Sequence, residues 1–337
     1  MRKNFVFQGL VLLLSISLIG SCNRVSAPDV SKVDVTVHSH LFFMDVFDSN
    51  SKEIGARVES LKEKYGLYLE AYSQRMIQIG SVEDPSYPQH LQSFIEYEAN
   101  QDVFAKSKEE FAQVDDIMSD MAQAFRYYKY YFPKTTIPEV YFHISGFNQS
   151  IAVDSAWISI SVEKYLGEDC EFYEWLAIPA YLRKRMVRQK IVPDVMKAMA
   201  MTNFPGGMKN EDVLSNMIQK GKELYFTGLT NPYLNKKYLF DLSEQELEWC
   251  EKNEAFIWAT MVERKHVYNN DRMVIQKYTG DSPFTYYFGQ DSPGRAAVYL
   301  GYQIVAAYMK QHPELSILDL MHESDGHLIF RESRYRP

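Results

Sequence analysis

The sequence has little cysteine and no excess of positive charge, and both shortages narrow its possible functions. Its 337 residues include 3 cysteines, and 36 Lys and Arg stand against 44 Asp and Glu. Nucleic-acid binding needs a basic surface, and this charge balance argues against one. If Cys22 is modified as argued below, Cys170 and Cys250 remain. Their wide separation favours two independent buried thiols, although an oxidising compartment would permit one disulfide.

Motifs of common hydrolases are also missing. The sequence has no His-Glu-x-x-His to place two zinc ligands on one helical face, no Gly-x-Ser-x-Gly nucleophile turn and no Gly-rich phosphate loop. A helix predicted at residues 192–199 follows a predicted small sheet, where zinc peptidases of the zincin type carry their motif. This helix offers one carboxylate, Asp194, and no imidazole.

Four carboxylates cluster beside a predicted helix start: Glu168, Asp169, Glu171 and Glu174. Acidic residues at this position interact favourably with the helix dipole, which is the simpler interpretation. Paired acid–base catalysis among them stays open as an alternative.

The N-terminus carries the strongest signal in the chain. A basic start at Arg2 and Lys3, an apolar stretch over residues 5–18 and the small pair Gly20-Ser21 are typical of a secretory signal peptide. Cys22 directly follows the small pair, as lipoprotein processing requires. We therefore predict a lipoprotein signal peptide over residues 1–21 and lipidation, including palmitate, at Cys22.

The anchor determines the expected localisation. Stable anchoring needs two or more acyl chains, and a bacterial lipoprotein cysteine usually carries three. No Asp follows Cys22 to indicate retention at the inner membrane. We expect a cell-envelope protein in the outer membrane, facing the periplasm. Residues 22–40 are expected to be a lipid-anchored tether, and residues 41–337 a single globular domain without an internal linker.

Hydrophobic periodicity predicts a mostly helical fold. Apolar residues spaced by three or four indicate helices over residues 54–79, with a possible break at Gly66, and over residues 111–132, ended by Pro133. Further helices are predicted at residues 173–186, 193–201 and 296–309, the last with Ser292 as N-cap and Pro293 at its first position. Strand patterns are confined to residues 140–144 and 157–162, with a turn or loop near Asp154-Ser155. The predicted class is α+β, predominantly α-helical, with a small antiparallel sheet.

The histidines offer weak metal sites. His322, Glu323 and His327 resemble ligands, but their spacing does not keep them on one helical face. His143, within a predicted strand, is expected to be a structural histidine with its hydrogen bonds satisfied. The pair His38 and His40 is attributed to chance, and His266 to a solvated helix face.

Two segments are candidate contact surfaces. Residues 127–133 contain more aromatic rings than one buried stripe needs, so some could anchor a partner, although packing beneath the following loop is the simpler interpretation. The chain also has one basic cluster, which could face anionic lipid or an acidic partner, or be a solvated helix end: Arg183, Lys184, Arg185, Arg188 and Lys190.

Several segments resemble one known family. They are the signal peptide ending at Cys22, residues 130–150 (YYFPKTTIPEVYFHISGFNQS), residues 165–169 (YLGED), Ile178-Pro179 with Tyr181, and residues 293–309 (PGRAAVYLGYQIVAAYM). In this order they are similar to the gliding-motility lipoprotein family GldB of Bacteroidetes. The resemblance implies an envelope protein associated with the gliding apparatus, which is linked to type IX secretion. It also implies a distant similarity to zincin-like peptidases whose catalytic histidines are missing, with Asp194 and Ala198 at their positions.

Three hypotheses follow. The first is a non-enzymatic, zincin-like lipoprotein without catalytic, metal or cofactor-binding residues, which contacts protein partners of the gliding or secretion machinery. The second is an envelope metal-dependent hydrolase with a divergent site involving Asp194, Glu171 or Glu174. The third is a lipoprotein that binds a small molecule in an aromatic-lined interior.

Overall fold

The structure, a computed structural model, describes residues 27–47 and 53–337. The predicted signal peptide, Cys22 and the first residues of the predicted tether lie outside the described residues. Within these two ranges, no helix is both long enough and apolar enough to cross a bilayer. The predicted predominantly helical α+β class is confirmed.

A four-stranded mixed sheet lies in the N-terminal half. Its strands are β1 (Ser39–His40), β2 (Glu139–His143), β3 (Ile151–Val153) and β4 (Trp157–Ser161), in the order β1-β2-β4-β3. The pairs β1–β2 and β2–β4 are parallel, and only β3–β4 is antiparallel. The prediction of an antiparallel sheet is therefore wrong for the two strands that the sequence identified, β2 and β4.

The reason is the short strand β3. After His143 the chain passes through a loop and forms β3 at the edge of the sheet. It then turns back as β4, which lies between β3 and β2, antiparallel to β3 and parallel to β2. The turn that joins β3 to β4 contains Asp154, whose backbone N–H donates to the Trp157 carbonyl at 2.8 Å, and this turn confirms the prediction. Four of the five residues in β2 and in β4 are buried, as is usual for parallel strands covered on both faces.

Helices before the sheet pack the aromatic part of the core. They are α1 (Phe42–Phe47), α2 (Ile54–Tyr65), α3 (Leu67–Ala71), α4 (Tyr87–Glu96), α5 (Glu98–Phe111) and α6 (Asp115–Tyr131), with a π-helical turn at Tyr72–Met76. The predicted break at Gly66 is confirmed, because this residue has φ 47° and so favours glycine. The predicted helix at residues 111–132 begins later, since Phe111 already closes α5.

The predicted helix at residues 173–186 is wrong. Two short helices replace it, α7 (Glu171–Trp175) and α8 (Ala180–Arg183). Ala177 between them has φ 51°, and Pro179 lacks the N–H that a continuous helix would use. The helix predicted at residues 193–201 is confirmed as α9 (Ile191–Asn203).

The C-terminal half is a helical assembly around two crossing helices. It contains α10 (Val213–Thr230), α11 (Lys236–Phe240), α12 (Glu244–Lys252), α13 (Glu254–Glu263), α14 (Arg272–Thr279), α15 (Ala296–Gln311), α16 (Ile317–His322) and α17 (Gly326–Ser333). At the crossing of α10 and α15, a Cβ on Gly301 would lie 1.9 Å from the Met217 carbonyl oxygen. Only glycine allows this approach of the two backbones.

The start predicted for the buried helix at residues 296–309 is wrong. Arg295, with φ 60°, is the N-cap of α15, and Ser292 belongs to the preceding loop. There the Ser292 hydroxyl donates to the Gly289 carbonyl at 2.6 Å, so Pro293 also lies before the helix. The prediction that α15 is buried is confirmed by 0 % exposure of Leu300, Ile304 and Val305.

Candidate functional site

The residue predicted at the catalytic position, Asp194, lies on the first turn of α9 and has two polar partners. The Lys190 ammonium lies 3.0 Å from its carboxylate, and the buried Tyr165 hydroxyl donates to it at 3.1 Å. Lys190 and Asp194 are four residues apart, which places both side chains on one side of the start of α9. The side chain of Lys190 is 4 % exposed, so its charge is almost entirely removed from water.

Lys190 connects Asp194 to a second carboxylate, Asp241. Asp241 ends α11 in the left-handed conformation, its side chain is 6 % exposed, and it forms an ion pair with Lys190. Lys190 also donates to the Tyr238 carbonyl at 2.8 Å. One ammonium therefore has two carboxylates and a carbonyl around it: it hydrogen-bonds the carbonyl and forms ion pairs with both carboxylates.

Arg295 approaches Asp241 from the other side. Its guanidinium donates to the Asp241 carboxylate at 3.1 Å and lies 3.6 Å from Asp281, which Arg185 contacts at 2.8 Å. The left-handed Arg295 follows Gly294, where a Cβ would lie 2.0 Å from the Ser282 carbonyl oxygen. The Pro-Gly-Arg sequence thus holds the guanidinium at the start of α15 while the loop backbone packs against Gly294.

We call the six charged residues together the ion-pair network: Arg185, Lys190, Asp194, Asp241, Asp281 and Arg295. Burial alone would raise the pKa of Asp241, but Lys190, Lys197 and Arg295 hold it well below its ordinary value. Burial disfavours the charged form of Lys190, and the carboxylates of Asp194 and Asp241 outweigh burial, so the pKa of its ammonium is raised. Lys190 and Asp241 are therefore both charged at neutral pH.

A cleft of about 480 Å³ opens beside the network. We call it the ionic cleft; its lining residues are Glu168, Lys184, Arg185, Val187, Gln189, Lys190, Lys237, Tyr238, Asp241, Leu242, Ser243, Glu244 and Gln245. Ser243 also begins α12 with a capping box. The Ser243 hydroxyl accepts from the backbone N–H of Glu246, and the Glu246 carboxylate accepts from the backbone N–H of Ser243. One wall of the cleft is therefore fixed by the start of a helix.

The charged residues of the network pair with one another. The ammonium of Lys190 occupies the space between Asp194 and Asp241, where a divalent cation would need to bind both carboxylates. Among residues 27–47 and 53–337, no group of three or more His, Cys, Asp or Glu side chains is placed to hold a metal ion. The rim of the cleft presents charged and polar side chains, among them Lys184, Lys237 and Glu244.

The acidic cluster lies beside a helix start, as predicted, with Glu171 and Glu174 in the first turn of α7. Glu168, Asp169 and Glu171 are exposed, and Glu174 forms an ion pair with Arg183 at 2.7 Å. Glu168 alone of the four lines the ionic cleft. The structure does not bring Glu171 or Glu174 to the ion-pair network that contains Asp194.

The basic cluster is paired within the chain. Besides Arg183, Arg185 and Lys190, described above, Arg188 binds Asp116 in a two-pronged contact at 2.6 and 2.8 Å and donates to the carbonyls of Glu110 and Gln113. Lys184 is the most exposed member and lies 3.8 Å from Glu246. The interpretation as a solvated helix end is wrong for Lys190, which is buried.

The histidines do not converge. His322 packs against the Phe204 ring, whereas Nε2 of His327 lies 2.5 Å from the Asp212 carboxylate. His266 lies beyond the end of α13 and is partly buried, with Nδ1 3.0 Å from the Tyr278 hydroxyl, so its predicted place on a solvated helix face is wrong. His40 stacks on Tyr141 and pairs with Glu139 at 3.0 Å, while His38 is exposed.

His143 belongs to a buried polar group beneath the sheet. Its Nδ1 lies 2.7 Å from the Ser159 hydroxyl, and its Nε2 has no hydrogen-bond partner among the described residues. Burial lowers the pKa of the His143 imidazole from 6.5 to about 3. Nearby, the fully buried Glu163 accepts from the backbone N–H of Ser145 at 2.7 Å and of Phe147 at 3.1 Å. His143 is therefore a neutral structural histidine, as expected, but the expected full hydrogen bonding is not found, since only Nδ1 has a partner among the described residues.

The aromatic run at residues 127–133 is mainly core. Tyr127, Tyr128 and Phe132 are buried, and Tyr130 is 47 % exposed. Both remaining cysteines are free thiols, and burial raises the pKa of Cys250 to about 12.

Asp241, Asp281 and Arg295 were not identified as site residues from the sequence. The available signal was the Pro-Gly-Arg segment, which carried part of the family resemblance.

Comparison with known proteins identifies one family. The family described as "Gliding motility protein GldB" matches residues 23–337. Neither the curated proteins nor the solved structures contain a match.

Proposed function

The chain belongs to the GldB family of gliding-motility lipoproteins, and from this premise we propose that it is a non-enzymatic lipoprotein acting through protein contacts with the gliding or type IX secretion machinery. The family match over residues 23–337 carries the proposal, since it covers the whole chain after Cys22. The ion-pair network supports the non-enzymatic part, because Lys190 neutralises the carboxylates that a metal would need. The rim of the ionic cleft is the contact surface that we assign to a polar segment of a partner.

The proposal includes a location and an architecture. Lipidation at Cys22, after removal of residues 1–21, anchors the chain in the outer membrane, and residues 41–337 form one domain facing the periplasm. We further propose a zincin-like scaffold in which α9 is the former catalytic helix. The metal-binding side chains are then replaced by Asp194 and Ala198, and Lys190 supplies the positive charge that the metal supplied.

A deletion strain tests the function. We expect loss of gliding or of type IX secretion, restored by the intact gene and not by Cys22→Ala. In the complemented strain, a photo-crosslinking residue at Lys237, on the rim of the cleft, is expected to capture an envelope protein of that machinery. The same residue at Leu67, which is 88 % exposed and lies on α3, serves as the matched control. Normal motility and secretion in the deletion strain would contradict the proposal.

Metal content separates this proposal from the hydrolase hypothesis. The chain from Asn23 onward, purified without a His tag, is expected to contain far less than one zinc per chain by mass spectrometry. Zinc near one atom per chain, lost on Asp194→Ala, would instead favour a metal-dependent hydrolase.

A further inference from the structure

The segment that leads to the lipid anchor is fixed on the surface of the domain. Residues 27–31 line a cavity of about 440 Å³ together with Gln123, Arg126, Tyr127 and Tyr233. Val30 is 4 % exposed, and the Lys129 ammonium donates to the Asp34 carbonyl at 3.3 Å. We call residues 27–31 and these four side chains the anchor face.

Covalent geometry limits the distance from this face to the membrane. Five peptide steps separate Cys22 from Ala27, and a fully extended chain spans at most about 3.6 Å per residue, so their Cα atoms lie within about 18 Å. The acyl chains on Cys22 enter the hydrocarbon core, which places Cys22 at the lipid headgroups. The short link therefore keeps the anchor face close to the bilayer. It sets no comparable limit on the distance between the bilayer and the other faces of the domain.

The anchor face has the side chains expected beside lipid headgroups. Tyr233 is 78 % exposed, and its hydroxyl lies 3.5 Å from that of Tyr127. Tyr130, which is 47 % exposed, lies four residues after the partly exposed Arg126 and therefore on the same side of α6. Tyrosine is enriched at membrane interfaces, where its ring is apolar and its hydroxyl contacts water.

The anchor face is continuous with the ionic cleft. A second cavity, of about 290 Å³, shares Tyr233 with the anchor face and shares Gln189 and Tyr238 with the cleft. The surface from the anchor to the ion-pair network is thus a single chain of adjoining depressions. A partner segment in the cleft would lie close to the bilayer.

We propose that the anchor face lies against the phospholipid headgroups of the membrane that holds Cys22, with Tyr233 at the headgroup level and the ionic cleft beside the membrane surface. This orientation rests on the lipidation proposed above. The occupant is a zwitterionic lipid surface, because the mature chain has 34 basic and 44 acidic residues and an anionic surface would repel it.

Fluorescence quenching in vesicles tests the orientation. The full lipidated chain, with Cys170→Ser, carries a fluorophore on Tyr233→Cys or on the control Leu67→Cys, and is reconstituted in phosphatidylethanolamine-rich vesicles with nitroxide-labelled headgroups. Leu67 is more exposed than Tyr233 and lines none of the three cavities. We expect quenching at position 233 to be at least threefold stronger than at position 67. Equal quenching, or stronger quenching at position 67, would overturn the proposal.

A longer link tests the cause. Thirty Gly/Ser residues inserted after Asn23 remove the limit of about 18 Å. We expect the ratio of quenching at position 233 to quenching at position 67 to fall toward one, and an unchanged ratio would show that the short link does not set the orientation. Mass spectrometry of the N-terminal peptide checks lipidation separately. An absent acyl chain would contradict the lipidation in the proposed function, whereas a lipidated chain with equal quenching at both positions would contradict only the orientation.

Discussion

At the residue scale, Asp241 is a buried carboxylate that depends on neighbouring cations. A buried carboxylate loses its hydration, and it is tolerated only where cations and hydrogen bonds replace the lost water. Lys190 and Arg295 provide this replacement from two different helix starts. Such a network is weak evidence for high stability, but breaking it is costly because the remaining charges stay buried.

Replacing this carboxylate tests the network. We expect Asp241→Asn to lower the free energy of unfolding by roughly 3–5 kcal/mol, since Lys190 and Arg295 lose the same buried partner. The matched control is Asp281→Asn, which also faces Arg295 but is 51 % exposed, and it should cost about 1 kcal/mol or less. Urea unfolding of both variants measures the difference, and equal costs would contradict the central role of Asp241.

His143 predicts a pH dependence of stability. The folded protein keeps this imidazole neutral down to a pKa of about 3, whereas the unfolded chain takes up the proton near pH 6.5. Between these two pH values the unfolded state binds more protons than the folded state. The contribution of His143 to the free energy of unfolding is therefore lost as pH falls from 6.5 toward 3. The slope from this group approaches about 1.4 kcal/mol per pH unit.

Two variants isolate that slope. His143→Gln cannot be protonated, so the fall in unfolding free energy between pH 6.5 and 4.5 should be smaller than in the natural protein. His38→Gln changes an exposed histidine and should leave the fall unchanged. Chemical denaturation at several pH values makes the comparison, and parallel curves for the natural protein and His143→Gln would exclude the mechanism.

The site residues differ in how far the sequence could reveal them. Asp194 was identifiable because it lies in a periodic helix after a sheet, where zinc peptidases of the zincin type carry their metal-binding motif. Asp241 and Asp281 lie at the end of a short helix and in a loop, and only tertiary packing brings them to Lys190 and Arg295. Local patterns contain no information on such contacts.

At the element scale, the close crossing of α10 and α15 organises the C-terminal half. A Cβ at Gly221 would lie 2.4 Å from the Gly301 backbone, and a Cβ at Gly301 would meet the Met217 carbonyl. We expect Gly301→Ala to force the helices apart and to cost about 3 kcal/mol or more, despite the better helix propensity of alanine.

Gly228→Ala is the control for that crossing. Gly228 also lies within α10, but a Cβ there would be 3.5 Å from the Leu239 side chain, an ordinary contact. Thermal unfolding should show little change or a gain of up to about 1 kcal/mol. A similar loss in both variants would mean that helix packing at Gly301 is not the cause.

The elements recovered from sequence are those with long, regular periodicity. The helices α2, α6, α9 and α15 have it, and so do the central strands β2 and β4. The strands β1 and β3 contain two and three residues, too few for a pattern, and without β3 the parallel direction of β4 cannot be inferred. The helix predicted at residues 173–186 fails at Ala177, whose positive φ is set by its surroundings and not by its residue type.

At the scale of the whole molecule, the segment before α1 connects the anchor to the sheet. Residues 27–31 line one cavity with side chains of α6, and Ser39–His40 pairs with β2 as the outermost strand. The segment predicted as a tether thus contributes buried surface over its described part. The domain boundary at residue 41 is still a prediction, and stability measurements can place it.

Two truncated chains make that measurement. A chain from residue 41 lacks β1 and the buried Val30, and it leaves β2 as an unpaired edge. Relative to a chain from residue 27, we expect it to lose at least about 2 kcal/mol, since one buried valine contributes about 1.5 kcal/mol and the partly buried Val35 and Val37 add to it. Urea unfolding compares the two chains. Equal unfolding midpoints would place the boundary at residue 41 and make residues 27–40 a tether in the energetic sense, whereas the expected loss makes them part of the folded domain and shortens the free link to the membrane.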